Sequence, residues 1–528
     1  MTNANQSITA ETANDIHFGM WADLSLQLSE AFSPLIEGLV LRVLTEANLT
    51  ANVTNIRNHS NAFSFILSNL IMVHRLNPDA YCLLSRRNSS YSVSPYNPNK
   101  VGSRALRRCF DFLNDNGFIE FRGGNYNHSG EGSAGGYVTR CRAQKSLLLA
   151  LSTPETREDT IGECLSPGTT GNTNLFNNIN SIGFLNLFKN TPVPIIRMRD
   201  ENRNLVSTPD HPDLAQMTAN LVTINSYLTD HWIDLSIPDN ELSQALTNRA
   251  EENLPGERSS LSSVYNLAKQ RTLYRVFNNG SFQNGGRFYG GWWQQIKSDY
   301  RKYITINWHP VSEVDYSSMQ PAILYAMEGL DAPEDSYEIE GVPSEYRDLL
   351  KKTFLQVINA QNNRMRAPRQ DELPPGMTFA DLKEALRAKH DPIARHFNSG
   401  IGIEIQRIDS DIAETVMLGM MEHGQLALPV HDSFIVRSGN ENLLANVMSE
   451  ACTNRIGRSI TTKTDPIWHY EITSYEDWVN HTFGASDVSD VYSNLIHQPE
   501  YRAFIQRRTD FLNYKGEEWG HTREWFAG

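Results

Sequence analysis

Cysteine is scarce in this 528-residue sequence, and its five cysteines are scattered: Cys82, Cys109, Cys141, Cys164 and Cys452. Their number is odd and no Cys-x-x-Cys pair occurs, which argues against a structural zinc site and a disulfide framework. We therefore expect reduced, buried thiols, as in a cytoplasmic protein. The sequence also lacks an apolar run of about eighteen residues, so we expect no transmembrane segment and no membrane partner. The polar N-terminal stretch lacks the basic-then-apolar pattern of a secretion signal.

An excess of positive charge is also absent, because the formal net charge is -14 at pH 7. This balance excludes a uniformly basic, nucleic-acid-coating surface, but it leaves room for a local basic face. The hydrophobic content of 40% is sufficient for a folded core, and the length predicts two to four domains.

Composition divides the chain into four segments. Residues 1–150 are rich in helical patterns, and residues 151–200 are dense in Ser, Thr, Gly, Pro and Asn, which predicts a linker or long loop. Residues 201–480 alternate strand-like and helix-like runs. Residues 481–528 form an aromatic and charged C-terminal extension to which no role is assigned.

A segment near the N-terminus predicts a helix followed by a two-stranded hairpin. Apolar residues recur at near-helical spacing from Val101 to Leu113, and Gly117 is placed to end that helix. The runs FIEFR and GGYVTRCRA predict two strands around a Gly-, Asn- and Ser-rich tip. This order of elements is the shape of a winged-helix module.

The same region is locally basic. Residues 85–145 contain ten basic and four acidic side chains, a net charge of +6. Arg104, Arg107 and Arg108 share one face of the predicted helix, which suits phosphate contacts or entry into a major groove. The alternative is a solvated helix and a hairpin used only for protein contacts.

Two aspartates stand where predicted strands end. Asp315, in EVDYSSMQ, ends a strand-like run, and Asp432, in LALPVHDSFIV, lies at the tip of a predicted tight hairpin. Two carboxylates that meet in this way can hold two divalent metals about 3.5–4 Å apart, and Mg²⁺ prefers such oxygen ligands. Taken singly, each aspartate has the alternative of a helix cap or an Asx-turn residue.

Basic and polar residues accompany the two aspartates. Arg347 and Lys351 lie four residues apart, hence on one helix face, where they could grip a triphosphate; the alternative is a solvated basic flank. Arg287 follows two glycines and suits a phosphate. Gln406 is expected to open the next helix and to read a minor groove.

In this order, the motifs resemble the palm and fingers of family A DNA polymerases and of the related single-subunit phage-type RNA polymerases. DYSSMQ is similar to the DYSQIE of the DNA enzymes, and the resemblance extends over residues 284–437, less than a third of the chain. The residues that match the family's motifs are Gly286, Arg287, Asp315, Arg347, Lys351, Gln406, His431 and Asp432.

The resemblance implies an α+β fold with a right-hand palm of antiparallel sheet, helical fingers and an N-terminal winged-helix region. It implies a DNA polymerase, of a phage, plasmid or other mobile element, acting on a DNA primer-template and dNTP. Asp315 and Asp432 would bind two Mg²⁺ ions, or Mn²⁺, with Lys351 as a further catalytic residue. Arg287, Gln406 and His431 would hold the primer-template, although a packed turn histidine is the alternative for His431.

Four positions depart from the family pattern at its nucleotide-binding and catalytic motifs. Leu355 and Asn359 stand where phenylalanine and tyrosine are usual, and Gln320 replaces a glutamate that crowds the ribose 2′-OH. Ser433 stands where DNA polymerases have glutamate and the RNA enzymes have serine. A primase or RNA polymerase that incorporates NTP therefore stays open, as does a non-catalytic DNA-binding initiator. No convincing DxE-centred nuclease motif occurs upstream, so we expect no proofreading.

Overall fold

The computed structural model describes residues 20–76, 81–85, 88–122, 139–151, 188–235, 271–296, 298–307, 309–362 and 365–464. Within these ranges helices and strands are mixed, as the sequence predicts, and buried apolar side chains form two cores. One core extends from Leu26 to Leu151, and the other extends from Ile196 to Ile460. No helix in the described ranges is both long and apolar enough to cross a membrane.

The first core is built from four helices and most of the first six strands. The helices are α1 (Ser33–Glu46), α2 (Val53–Leu76), α3 (Ser103–Asp115) and α4 (Lys145–Leu151). The strands are β1 (Met20–Trp21), β2 (Leu26–Leu28), β3 (Cys82–Leu84), β4 (Ile119–Arg122), β5 (Thr139–Ala143) and β6 (Phe188–Asn190). Four of these strands form a sheet in the order β1-β3-β5-β4, and β2 pairs with β6.

Helix α3 ends where the sequence predicts. Gly117 adopts φ +66°, its N–H donates to Asn114 O, and the Phe118 N–H donates to Leu113 O. These two bonds satisfy carbonyls that the helix end leaves unpaired, and glycine takes the left-handed conformation without steric cost. The chain then enters the antiparallel pair β4–β5, so the predicted helix and hairpin are both present.

Among the described residues, the second core contains seven helices and the remaining strands. The helices are α5 (Leu214–Asp230), α6 (Ser298–Arg301), α7 (Met319–Met327), α8 (Arg347–Asn359), α9 (Phe379–Lys389), α10 (Gly402–Glu422) and α11 (Glu441–Ile456). The strands before the Asp315 motif are β7 (Ile196–Arg199), β8 (Leu205–Val206), β9 (Ile233–Leu235), β10 (Tyr274–Asn278), β11 (Ser281–Tyr289) and β12 (Ile304–Ile306). The others are β13 (His309–Tyr316), β14 (Ala427–Val430), β15 (Ser433–Arg437) and β16 (Thr462–Thr464).

The two sheets of this second core have different roles. Strand β13 is central to an antiparallel sheet of order β14-β15-β13-β12-β9, and β16 also pairs with β13. The other sheet, of order β11-β10-β7-β8, packs through β11 against the long helix α10. The first sheet carries Asp315 and the hairpin with Asp432, so it positions the candidate site.

Glycine allows β11 and α10 to approach closely. Gly286 has φ +84°, and a Cβ atom there would lie 2.8 Å from Ser410 Oγ and 2.9 Å from Phe277. The Gly286 carbonyl instead accepts a hydrogen bond from Arg275 Nε at 2.9 Å. Any larger residue would push the strand away from the helix.

The described residues differ from the expected boundaries at one place. Residues 188–200 belong to the segment expected to be a linker, yet they contribute β6 and β7 to two sheets. Composition does not readily distinguish short strands with few apolar residues from loops, because such strands depend on pairing with neighbouring strands. Residues 152–187 and the C-terminal extension lie outside the described residues.

Candidate active site

Asp315 and Asp432 lie next to each other at the end of two paired strands. Asp315 is the penultimate residue of β13 and stands opposite Ser433, the first residue of β15. Val430 and Ser433 close a two-residue turn formed by His431 and Asp432, which confirms the predicted tight hairpin. His431 adopts φ +59° in this turn. The Tyr316 N–H donates to Asp432 O at 3.4 Å, so the turn is tied to the end of β13.

The electrostatics of this pair depend on burial and on mutual repulsion. Burial, followed by the negative charge of Asp432, raises the pKa of Asp315 to about 6. Lys463 and Lys351 act in the opposite direction, and Lys463 Nζ lies 3.7 Å from Asp315 Oδ2. The two carboxylates therefore hold negative charge that nearby lysines offset only in part.

The carboxylates open into a cavity of 550 Å³. Its charged and ionisable lining among the described residues consists of Arg301, Glu313, Asp315, His431, Asp432 and Lys463. Three carboxylates and two cations thus face one space, and this arrangement suits a cationic ligand together with an anionic substrate.

This donor set suits Mg²⁺. The described residues contain no cluster of three or more His, Cys, Asp or Glu side chains that could enclose a metal. Two partly accessible carboxylates instead match the way Mg²⁺ is held, through one or two carboxylates with substrate phosphates and water. A cation would also relieve the repulsion that raises the pKa of Asp315. Asp315 and Asp432 would be its ligands.

Helix α8 presents four of the predicted residues in one row, because Arg347, Lys351, Leu355 and Asn359 recur every four positions. Lys351 is exposed and lies within electrostatic reach of Asp315. Leu355 packs against the second core. Asn359 donates through Nδ2 to Leu355 O at 2.7 Å, at the C-terminal end of the helix. The structure thus brings Lys351 to the carboxylates, whereas Leu355 and Asn359 have local partners.

Arg347 is held at the surface by an aspartate. Its Nε donates to Asp335 Oδ2 at 2.7 Å, and this hydrogen bond raises the pKa of Arg347. The guanidinium lies 5.4 Å from the ring centre of Tyr337, which is buried and within electrostatic reach of Asp432. Tyr337 therefore links Arg347 to the surroundings of Asp432, a role that no short motif indicates.

Arg287 is anchored by a buried aspartate. Its Nη2 and Nε donate to Asp409 Oδ2 at 2.8 and 3.0 Å. Burial raises the pKa of Asp409 to about 6, while Arg287 acts in the opposite direction. The pair fixes the Arg287 guanidinium beside Asp432, whose charge helps raise the pKa of Arg287.

His431 is exposed at the turn, yet the cavity walls desolvate its ring. Desolvation, then the charges of Arg287 and Arg301, lowers the pKa of His431, and Asp432 opposes this shift. The ring is therefore neutral at pH 7 and able both to donate and to accept one hydrogen bond.

The two predicted glutamines occupy different environments. Gln406 is half-buried in the second turn of α10, which begins at Gly402, so the prediction that it opens the helix is wrong. The helix starts earlier because the tight turn ending at Gly400, with φ +76°, precedes it. Gln320 lies in the first turn of α7, and its buried Oε1 atom has no hydrogen-bond partner among the described residues.

Some of the arginines on and beside α3 already have partners within the chain. Arg104 and Arg108 are exposed, whereas Arg107 donates to Ser103 O at 3.3 Å and to Asn88 Oδ1. In the adjoining hairpin, Arg122 and Arg142 share the carboxylate of one glutamate, Glu120. The residues that stay available to a phosphate are therefore fewer than the net charge of the segment indicates. Arg86, Arg87 and the hairpin tip lie outside the described residues.

Three residues at the site were not predicted. Lys463 stands opposite Asp315 in the β13–β16 pair, Glu313 lies two residues before Asp315 on the same strand face, and Arg301 pairs with Glu313. The alternation of side chains along a strand was a signal for Glu313. Lys463 and Arg301 carry no local signal, because only the folded sheet brings them to the cavity.

No protein-family model matches the sequence. No curated protein matches it either. Among solved structures, the chain is similar to the POL domain of Pol1 from M. smegmatis in complex with DNA primer-template and dNTP, at 12% identity and a TM-score of 0.28. The match covers 43% of this chain and 51% of that chain, so the chain spans about half the length of the structure it matches. A similarity at this level does not establish a shared fold, and the site has to be judged from its own residues.

Proposed function

We propose that the chain catalyses template-directed nucleotidyl transfer, as a DNA-dependent DNA polymerase without proofreading. The observation that carries this proposal is the adjacency of Asp315 and Asp432 at two paired strand ends, with Lys351 in electrostatic reach. Retention of this arrangement is difficult to explain in a protein that only binds DNA, since two adjacent carboxylates repel each other.

Each residue of the site has a distinct role in this proposal. Asp315 and Asp432 would hold two Mg²⁺ ions, or Mn²⁺, and such ions would neutralise phosphate charge and make a hydroxyl group more acidic. Lys351 neutralises the triphosphate of an incoming dNTP and donates a proton to the leaving group. Arg347 helps to neutralise the same phosphates when its guanidinium leaves Asp335.

The primer-template is held, in this proposal, by Arg287, His431 and Gln406. Arg287 binds a backbone phosphate in an orientation set by Asp409. His431, neutral at pH 7, positions the growing strand by a hydrogen bond. Gln406 reads a minor-groove acceptor from the second turn of α10.

Nucleic acid is also bound, we propose, by the N-terminal basic face. The order α3, β4, β5, a helix followed by an antiparallel pair of strands, supports this part of the proposal. Arg104 and Arg108 contact phosphates, and Arg107 is positioned by Asn88 beside them. This region brings a chain of net charge -14 to its polyanionic template.

A second candidate is an enzyme that incorporates NTP, as a primase or RNA polymerase. The specific observation in its favour is Gln320, whose uncharged side chain has an acceptor, Oε1, without a hydrogen-bond partner among the described residues. A ribose hydroxyl would donate a hydrogen bond to this acceptor, and that bond does not require a negative charge on the side chain.

Primer extension tests the proposal. A labelled primer on a DNA template is incubated with Mg²⁺ and either dNTP or NTP, using wild type, Asp432→Ala and the matched control Asp210→Ala, an exposed loop aspartate. We expect extension with dNTP by wild type and control, and background synthesis by Asp432→Ala. Extension with NTP alone would support the second candidate. Synthesis that survives Asp432→Ala would refute the assignment of the metal ligand.

Absence of synthesis under every condition, with retained DNA binding, would support the third candidate, a DNA-binding initiator. In that case we expect Asp432→Ala to bind DNA as wild type does, because α3 packs on the first core and Asp432 belongs to the second.

A further inference from the structure

The hydroxyl group after the candidate metal ligand Asp432 is held by a glutamate from the neighbouring strand. Ser433 Oγ donates to the Glu313 carboxylate across the β13–β15 pair, and it also lies 3.0 Å from Val430 O. Glu313 and Asp315 are two residues apart on β13, so both side chains point to the face that lines the cavity. Ser433 is buried, as is Glu313.

The second oxygen of Glu313 is neutralised by an arginine. Arg301 Nε lies 3.2 Å from Glu313 Oε2, and the two side chains are only 14% and 11% exposed. A carboxylate at this depth is costly unless it is paired, and Arg301 provides that pairing. The result is a chain of contacts, Arg301–Glu313–Ser433, that ends at the turn carrying Asp432.

The position of Ser433 makes this chain of contacts relevant to the turn. Ser433 follows Asp432 directly, and with Val430 it closes the two-residue hairpin. A hydroxyl fixed between the Val430 carbonyl and the Glu313 carboxylate restrains the backbone next to the Asp432 Cα atom. Groups that orient a metal ligand in this way contribute strongly to metal affinity although they do not bind the metal.

We propose that Glu313 is a positioning residue, which acts through Ser433 to hold the Asp432 carboxylate in its metal-binding orientation. This inference rests on the proposed function, because it assumes that Asp432 binds a divalent cation. DNA polymerases of the family that the chain resembles carry a glutamate directly after the HD motif, where this chain has Ser433. In this inference, Glu313 of β13 supplies a carboxylate next to that position.

Binding of Mn²⁺ to the full chain, measured without substrate from the electron paramagnetic resonance signal of the free ion, tests this inference. The variants are Ser433→Ala, which removes the hydroxyl, Ser433→Thr, which retains it, and Glu313→Gln, which removes the charge that Arg301 pairs with. Glu345→Gln, at an exposed glutamate, is the matched control. Circular dichroism and thermal melting report whether each variant is folded.

We expect Ser433→Ala and Glu313→Gln each to raise the Mn²⁺ dissociation constant about tenfold or more. Ser433→Thr and Glu345→Gln should stay close to wild type. Both effects act through one contact. The double variant Glu313→Gln/Ser433→Ala should therefore lose little more Mn²⁺ affinity than the single variant with the larger effect. The Mg²⁺ concentration for half-maximal primer extension should rise in the same order.

Folded Ser433→Ala and Glu313→Gln proteins that bind Mn²⁺ as wild type does would overturn the inference and leave the proposed function intact. If Glu313→Gln does not fold, the comparison of Ser433→Ala with Ser433→Thr decides alone, and equal affinity in these two overturns the inference. A wild-type protein that binds no Mn²⁺ and extends no primer would overturn the proposed function, and the inference with it.

Discussion

Arginine side chains are used in opposite ways on α3 and where β10 meets α10. On α3, Arg104 and Arg108 are exposed to solvent. On β10, Arg275 is fully buried and contacts Glu414, Asp411 and Ser410 of α10. The same side chain therefore offers charge to a partner in one region and is held by carboxylates in the other.

This difference shows why local charge is an incomplete guide to binding residues. A buried, paired arginine contributes orientation and packing, and it contributes little net potential at the surface. An exposed arginine contributes potential and is free to meet a phosphate. Four variants sharpen this comparison of free and paired charges, and they follow in order of expected effect.

Replacing the buried arginine should have the largest effect. Arg275→Met leaves Glu414 without its buried cationic partner, whereas Asp411 keeps Arg407 and Arg455. We expect a loss of about 3–5 kcal/mol in the free energy of unfolding. Urea denaturation measures this change. Arg369→Met, at a 78% exposed arginine, is the matched control and should unfold as wild type does. Equal losses in the two variants would contradict the contrast.

Replacing the exposed arginines should weaken DNA binding and leave stability unchanged. A plot of the logarithm of the DNA-binding constant against the logarithm of salt concentration has a negative slope. For Arg104→Ala/Arg108→Ala we expect the magnitude of this slope to decrease by about two, one for each lost phosphate contact. Fluorescence anisotropy of a labelled duplex at several salt concentrations measures the slope. Arg122→Ala, whose guanidinium is already paired with Glu120, is the control and should change it less. An unchanged slope in the double variant would remove α3 from the DNA-binding surface.

Replacing Asp315, whose charged form is disfavoured by burial and by Asp432, should stabilise the metal-free chain at neutral pH. Burial and Asp432 raise the pKa of Asp315 from its ordinary value of 3.8 to about 6. Between these values the folded state binds the proton more tightly than the unfolded state, so stability falls as pH rises from about 4 to 6. At pH 7.5 in EDTA, Asp315→Asn should therefore gain on the order of 1 kcal/mol, allowing for solvent screening, and nothing below pH 4.

Thermal or urea unfolding of Asp315→Asn at several pH values measures this gain, with Asp210→Asn as the matched control. A gain that does not depend on pH would mean that ionisation of Asp315 is not its cause.

Releasing the surface arginine should have the smallest effect on stability. Asp335→Asn removes the charge that holds Arg347, while its side-chain oxygen can still accept the hydrogen bond from the Tyr337 N–H. We expect almost no change in unfolding, because exposed ion pairs contribute little. If Arg347 binds the triphosphate, its release should lower the apparent KM for dNTP, measured by primer extension at varied nucleotide concentration. An unchanged or higher KM would argue against that role.

Short-range patterns predicted much of this fold correctly. The helix that ends at Gly117, the strand that carries Asp315 and the hairpin with Asp432 at its tip are all present. Each depends on side-chain periodicity or on turn chemistry within a few residues, which the sequence displays directly. The start of α10 was misplaced relative to Gln406, since helix ends are decided by backbone hydrogen bonds that periodicity does not reveal.

The sequence alone was sufficient to select Asp315, Asp432 and Lys351 as candidates, because their spacing and strand or helix setting are local properties. Only the tertiary structure assigned partners: Glu313 to Ser433, 120 residues away, and Arg287 to Asp409, 122 residues away. It likewise brought Arg301 and Lys463 to the same cavity. Such contacts depend on strand register and on packing between distant elements. These are set by burial of the whole core, so no short stretch of sequence contains them.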